Sequence, residues 1–249
     1  MNLFKTTYLT LILTFIAHIG FSQDNEGKIR ILFIFDGSNS MNAQWENSSK
    51  INVAKKLMTQ TMDSLKSLEN VDLALRIYGH QTRILPGKQD CSDTKLEVPF
   101  ASSKDNYDKI ISQIRGLVPK GTTPIARSLE YSADDFPPCD ECRNIIILIT
   151  DGIEACDEDP CAVALALREK NIKLKPFVIG LGLDTSYLNQ FQCVGEFLSA
   201  ENEDSFKIKI IDTPKLNSIF LLSINFFKIF ILIIQSFFFL KKEKINKIF

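Results

Sequence analysis

The apolar run Ile31–Phe35 ends directly in Asp36-Gly37-Ser38-Asn39-Ser40. One carboxylate and two hydroxyls therefore fall on a single turn. Two more oxygen donors stand at comparable boundaries. Thr123 lies in Lys120-Gly121-Thr122-Thr123-Pro124, and Asp151 follows the apolar run Asn144–Thr150. Together Asp36, Ser38, Ser40, Thr123 and Asp151 form an all-oxygen set with no thiolate and no imidazole. Such hard donors suit Mg²⁺, Mn²⁺ or Ca²⁺ rather than zinc or copper.

These residues are useful only if the chain brings three distant turns to one edge, and the element pattern predicts that it does. Between Arg30 and Ser218 short β-branched apolar runs alternate with helical periodicity, the sequence form of a mostly parallel sheet covered by helices on both faces. Ile31–Phe35 reads as a buried central strand, since parallel strands covered on both sides are continuously apolar, Asn144–Thr150 as the next central strand, and Val71–Tyr78 as a second strand. Val53, Leu57, Thr61 and Leu65 recur at helical spacing. Further helices are predicted around Ile110, Ile111 and Ile114, from Thr123-Pro124, over Cys161–Lys170, and over Tyr187–Leu198. Ile172–Leu183 reads as a strand, Leu96–Phe100 and Phe206–Ile211 as edge strands, and Asp212-Thr213-Pro214 as a helix start. All five donors then lie where strands give way to loops or a helix begins. In open α/β sheets ligands bind at the carboxyl end of the strands.

Asp-Gly and Thr-Pro are ordinary turn and capping dipeptides on their own. In this order and at these boundaries, D-G-S-N-S, T-P and T-D-G resemble the metal-ion-dependent adhesion site of von Willebrand factor type A domains, over roughly residues 28–218. Tyr78-Gly79-His80 and Asp151-Gly-Ile-Glu-Ala-Cys156 resemble a secreted bacterial subgroup of that family. The resemblance implies a Rossmann-like doubly wound α/β sandwich with a central, mostly parallel sheet. It also implies that Asp36, Ser38, Ser40, Thr123 and Asp151 hold a divalent cation, directly or through water, with one position left for an acidic group of a partner. Two carboxylates against a +2 ion leave no excess charge to repel that group. Many family members carry Gly where this chain has Asn39; Asn also tolerates left-handed backbone angles, so the loop is expected intact.

The resemblance implies a protein-binding module presented with an Asp or Glu of its ligand, not an enzyme. A non-catalytic scaffold role in a membrane-tethered assembly is the alternative. Beyond residue 22 the sequence has one histidine, His80, and no G-x-S-x-G elbow, which argues against a hydrolase triad. An Mg²⁺-dependent phosphohydrolase of the haloacid dehalogenase type also places Asp after a first strand. Its usual second Asp is Ser38 here, and no later G-D-x-x-x-D follows. His80 reads as a loop histidine making hydrogen bonds, and Trp45 as either a recognition aromatic or a loop anchor.

The rest of the chain concerns compartment and ends. Residues 1–22 have the layout of a signal peptide: a basic start, an apolar centre over Tyr8–Ile19 and small residues after it. Six cysteines, Cys91, Cys139, Cys142, Cys156, Cys161 and Cys193, lie beyond it, and an even number in an exported chain argues for disulfides over zinc, with the pairing open. The net charge is −1 overall and −6 over residues 23–218, which does not suggest nucleic-acid binding. Residues 219–240 are apolar and long enough to span a bilayer, with a basic end at 241–249. That segment reads equally as a membrane anchor or as a frameshifted or truncated end of a longer protein. The expected location is exported: periplasmic, cell-surface or secreted.

Overall fold

The computed structural model describes residues 27–45, 47–169, 176–181, 193–194 and 196–200. Strand β1 (Ile29–Asp36) is buried along its whole length and leads through a 3₁₀ turn (Asn39–Asn42) to a small hairpin, β2 (Gln44–Trp45) with β3 (Ser48–Ser49). Helix α1 (Lys50–Leu65), β4 (Val71–Tyr78), the antiparallel strand β5 (Thr94–Ser102) and helices α2 (Ser103–Gly116) and α3 (Ile125–Asp135) follow. Then come β6 (Arg143–Thr150), helix α4 (Pro160–Glu169), β7 (Pro176–Leu181) and β8 (Glu196–Ala200). The sheet order is β5-β4-β1-β6-β7-β8, with every neighbouring pair parallel except β4 and β5.

Strand period two divides β1 between two cores. Ile31, Phe33 and Phe35 face one side with Leu57, Met58 and Met62 of α1 and Ile110 and Ile114 of α2. Leu32 and Ile34 face the other with Ile146, Leu148, Ile125, Leu129 and Ala164. This is the doubly wound sandwich the alternating pattern predicts. Helix α2 is capped by Ser102, whose hydroxyl accepts from Asp105 N, and α4 by Asp159, which accepts from Cys161 N at 2.8 Å.

The differences from expectation are local. Pro124 is not the first helical residue; it precedes α3, which starts at Ile125. The strand expected over Ile172–Leu183 is described over Pro176–Leu181. The helix expected over Tyr187–Leu198 is not continued in its described part. Residues 193–194 form a turn and 196–198 belong to β8, which pairs along β7, so ladder pairing overrides a weak helical period there. The segments 1–22, 206–218 and 219–249 lie outside the described residues. Among the described residues no helix is long and apolar enough to cross a membrane. The cysteines pair as Cys91–Cys156, Cys139–Cys142 and Cys161–Cys193.

Candidate functional site

Adjacent parallel strands in register deliver their first loops to one edge. Asp36, the last residue of β1, pairs with Tyr78 of β4, while Phe35 pairs with Ile149 of β6, one residue before Thr150. The Asp36, Tyr78 and Asp151 turns therefore emerge side by side. Backbone bonds close the remaining gap: Asn39 N donates to Gly121 O at 2.9 Å, Lys120 N to Gly37 O at 3.1 Å, and Gly121 N to Gly79 O at 2.8 Å. Gly79 sits at φ +65°, and a Cβ there would lie 2.3 Å from Thr122 O. Only glycine allows the β4 turn to nest against the loop that carries Thr123. Ala155 N donates to Thr123 O at 3.2 Å, which ties the loop after β6 to the same place.

All five sequence-nominated residues meet at this edge. Asp36 is fully buried; its Oδ1 accepts from Ser38 N at 2.7 Å and its Oδ2 from the Thr150 hydroxyl at 2.8 Å. The Tyr78 hydroxyl donates to Thr150 Oγ1 at 3.0 Å, and burial holds that phenol well above its ordinary pKa, so it remains a neutral donor. Ser38 Oγ and Ser40 Oγ lie 2.9 Å apart, and Ser40 donates to Asp151 Oδ1 at 2.7 Å. Ser40 is exposed and marks the mouth of the site, whereas Ser38, Thr123 and Asp151 are buried. A Cβ added to Gly152 would stand 3.9 Å from both Ser40 Oγ and Thr123 Oγ1, which places the Ser40 and Thr123 hydroxyls beside the same turn after β6.

The electrostatics of the edge are unbalanced. Burial, and then the nearby Asp151 carboxylate, raise the Asp36 pKa from 3.8 to about 6 despite the hydrogen bonds from Ser38 and Thr150. Asp151 Oδ2 is buried, and its one polar neighbour among the described residues is the Lys50 ammonium at 2.9 Å, an ion pair. Two buried carboxylates and three hydroxyls are a donor set that fits a small hard divalent ion. Among the described residues no group of three or more His, Cys, Asp or Glu side chains is placed to hold a metal ion, so a cation site at this edge needs the hydroxyls.

Several residues at this edge were not anticipated. Thr150 and Tyr78 orient Asp36, and their signal is a polar side chain at the carboxyl end of an otherwise apolar strand. Glu154 accepts from Ala126 N at 2.7 Å and Cys156 N at 2.8 Å, capping α3 from the β6 loop; burial raises its pKa. Lys50 carries no sequence signal at all. His80 does make hydrogen-bond contact, with Nε2 2.9 Å from Glu97 Oε1. Trp45 is half-buried against the α1 core and anchors its loop.

A family model, the von Willebrand factor type A domain, matches residues 31–213. YwmD, an uncharacterized protein of Bacillus subtilis (strain 168), is 30% identical over 208 residues, covering 79% of this chain and 90% of its own length. Among solved structures, BatB from Bacteroides thetaiotaomicron matches with a TM-score of 0.58 at 20% identity, over 73% of this chain and 95% of its own. The pilus adhesin SpaC from Lactobacillus rhamnosus GG matches at 0.64 and 12% identity, over 78% and 31%. A mussel byssus protein, proximal thread matrix protein 1, with a zinc-occupied MIDAS motif matches at 0.55 and 21% identity, over 75% and 44%. At these identities the structures speak for the fold alone, while the family model spans most of the chain: this protein belongs to the von Willebrand factor type A domain family.

Proposed function

We propose that the chain is an exported, divalent-cation-dependent protein-binding module in which Asp36, Ser38, Ser40, Thr123 and Asp151 hold the ion. The observation that carries this reading is the convergence of two buried carboxylates and three hydroxyls on one edge. The chemistry supplied by a bound ion is Lewis-acid attachment of a partner's Asp or Glu carboxylate. The protein's own groups do the rest. Ser38 N and Thr150 fix the Asp36 carboxylate, and Ser40 holds Asp151. Mg²⁺ is the ion this donor set favours, with Mn²⁺ or Ca²⁺ as competitors, and the zinc in the byssus protein supports divalent binding in general.

Export is supported by the signal-like residues 1–22, by three disulfides, and by fold likeness to a pilus adhesin. We assign residues 28–218 to the domain and residues 219–240 to an apolar segment able to tether it. The relatives named above carry no enzymatic name, which agrees with a binding role. The test is selection of a displayed peptide library on the purified full chain in millimolar Mg²⁺ and in EDTA. Recovered binders should contain Asp or Glu and release on chelation. Binders indifferent to EDTA, or without an acidic residue, would contradict the reading.

A further inference from the structure

Lys50 opens helix α1, whose first turn holds no acidic residue. A cation at a helix N-terminus is disfavoured by the helix dipole, so local helix energetics do not account for a lysine there. Its backbone is fixed by Lys50 N donating to Ala43 O at 2.9 Å, at the end of the loop that carries Ser38 and Ser40. Its ammonium lies 2.9 Å from Asp151 Oδ2, a fully buried carboxylate oxygen with no other polar partner among the described residues, and the lysine side chain itself is only 17% exposed. The other oxygen, Oδ1, is already held by Ser40. The one oxygen of Asp151 not committed to a hydroxyl is thus matched by a positive charge supplied by the chain itself.

We infer that Lys50 is a resident counter-cation that competes with the divalent ion for Asp151. Resting on the cation-binding reading above, the inference assigns regulation of that same site. Without metal, Lys50 offsets the carboxylate charge and keeps the edge folded. Uptake of the ion requires the ammonium to leave Asp151, so the lysine sets the concentration at which the site fills. The exchange also frees a positive charge beside the mouth, where an acidic partner must approach.

Titration calorimetry of the full chain with Mg²⁺ and with Mn²⁺ compares wild type with Lys50→Met and Lys50→Gln. The neutral variants should bind at least about tenfold more tightly, equivalent to about 1.4 kcal/mol, and should melt at lower temperature in EDTA. The second readout needs no variant: reductive methylation followed by mass spectrometry should find Lys50 slow to react in EDTA and faster once Mg²⁺ is added. Cation binding by wild type with unchanged or weaker affinity in both variants, or Lys50 reactivity indifferent to Mg²⁺, overturns the exchange and leaves the cation site standing. Absence of binding in wild type and variants alike overturns the cation site and the exchange with it.

Discussion

At the scale of single residues the site is organised around a buried carboxylate whose charge the protein only partly supports. The pKa of Asp36 is raised to about 6, first by burial and then by Asp151. Since the folded value exceeds the unfolded one near 3.8, the native state binds this proton more tightly than the unfolded chain does. Without cation its contribution to stability is therefore greatest at low pH and declines as pH rises through about 4 to 6. A divalent ion competes with that proton, so its stabilisation should be small at pH 5 and full above pH ~7. Thermal melts of wild type against Asp36→Asn, in EDTA and in Mg²⁺ across pH 4–8, isolate this group. A cation-induced shift that is the same at pH 5 and pH 7.5 would contradict the assignment. Tyr78→Phe removes a buried donor to Thr150 and should cost about 1 kcal/mol in urea denaturation, with weakened cation binding as the accompanying sign. That Asp36, Ser38, Ser40, Thr123 and Asp151 share one edge was legible in the sequence because each stands at a strand end or helix start; their role as cation donors is the proposal. Lys50 was not legible, because nothing in a sequence shows that an ammonium at the start of α1 reaches a carboxylate after β6.

Elements position these residues through close backbone contact and one cross-link. Gly79, at φ +65°, nests against Thr122 O and the Ser38 backbone, and Gly121 packs on Gly79 in turn. Gly79→Ala should destabilise the protein by roughly 1–3 kcal/mol or more, through strain at a left-handed position and the clash itself. It should also loosen the cation site, read as a lower urea midpoint and a smaller Mg²⁺ shift. Cys91–Cys156 clamps the β4–β5 loop to the loop after β6 across 65 residues of chain, with Gln89 donating to Ala155 O at 3.0 Å beside it. Replacing both cysteines by serine should lower stability by about 2–4 kcal/mol, the loss expected when a long loop is no longer closed in the unfolded chain. Continuous apolar runs identified β1 and β6 because strands covered on both faces cannot alternate. The region after α4 was less legible: an edge strand and a short amphipathic helix have similar apolar content, and pairing with β7 decided for the strand at Glu196–Ala200. Cysteine pairing was open at the sequence level because six cysteines admit many pairings, whereas the fold brings Cys91 and Cys156 to Cα atoms 5.6 Å apart.

For the whole molecule, the family and the doubly wound sheet follow from the order of motifs and elements, while the site is a property of the sheet edge that no single segment contains. The two cores make a rigid body that holds several loops in fixed relation. Here the loops after β1, β4 and β6 and the one before α3 are joined by backbone hydrogen bonds, so ligand groups need little reordering. A cation that binds only this assembled edge must stabilise the folded state. At ~100-fold excess over its dissociation constant the gain is about 2.7 kcal/mol, or roughly 5–10 °C for a domain of this size. The most direct measurement is thermal unfolding of the full chain at neutral pH in EDTA and in millimolar Mg²⁺, Mn²⁺ or Ca²⁺, wild type beside Asp36→Ala. The account predicts an upward shift of that size in wild type and none in the variant; an equal response in both proteins, or none in either, would contradict it.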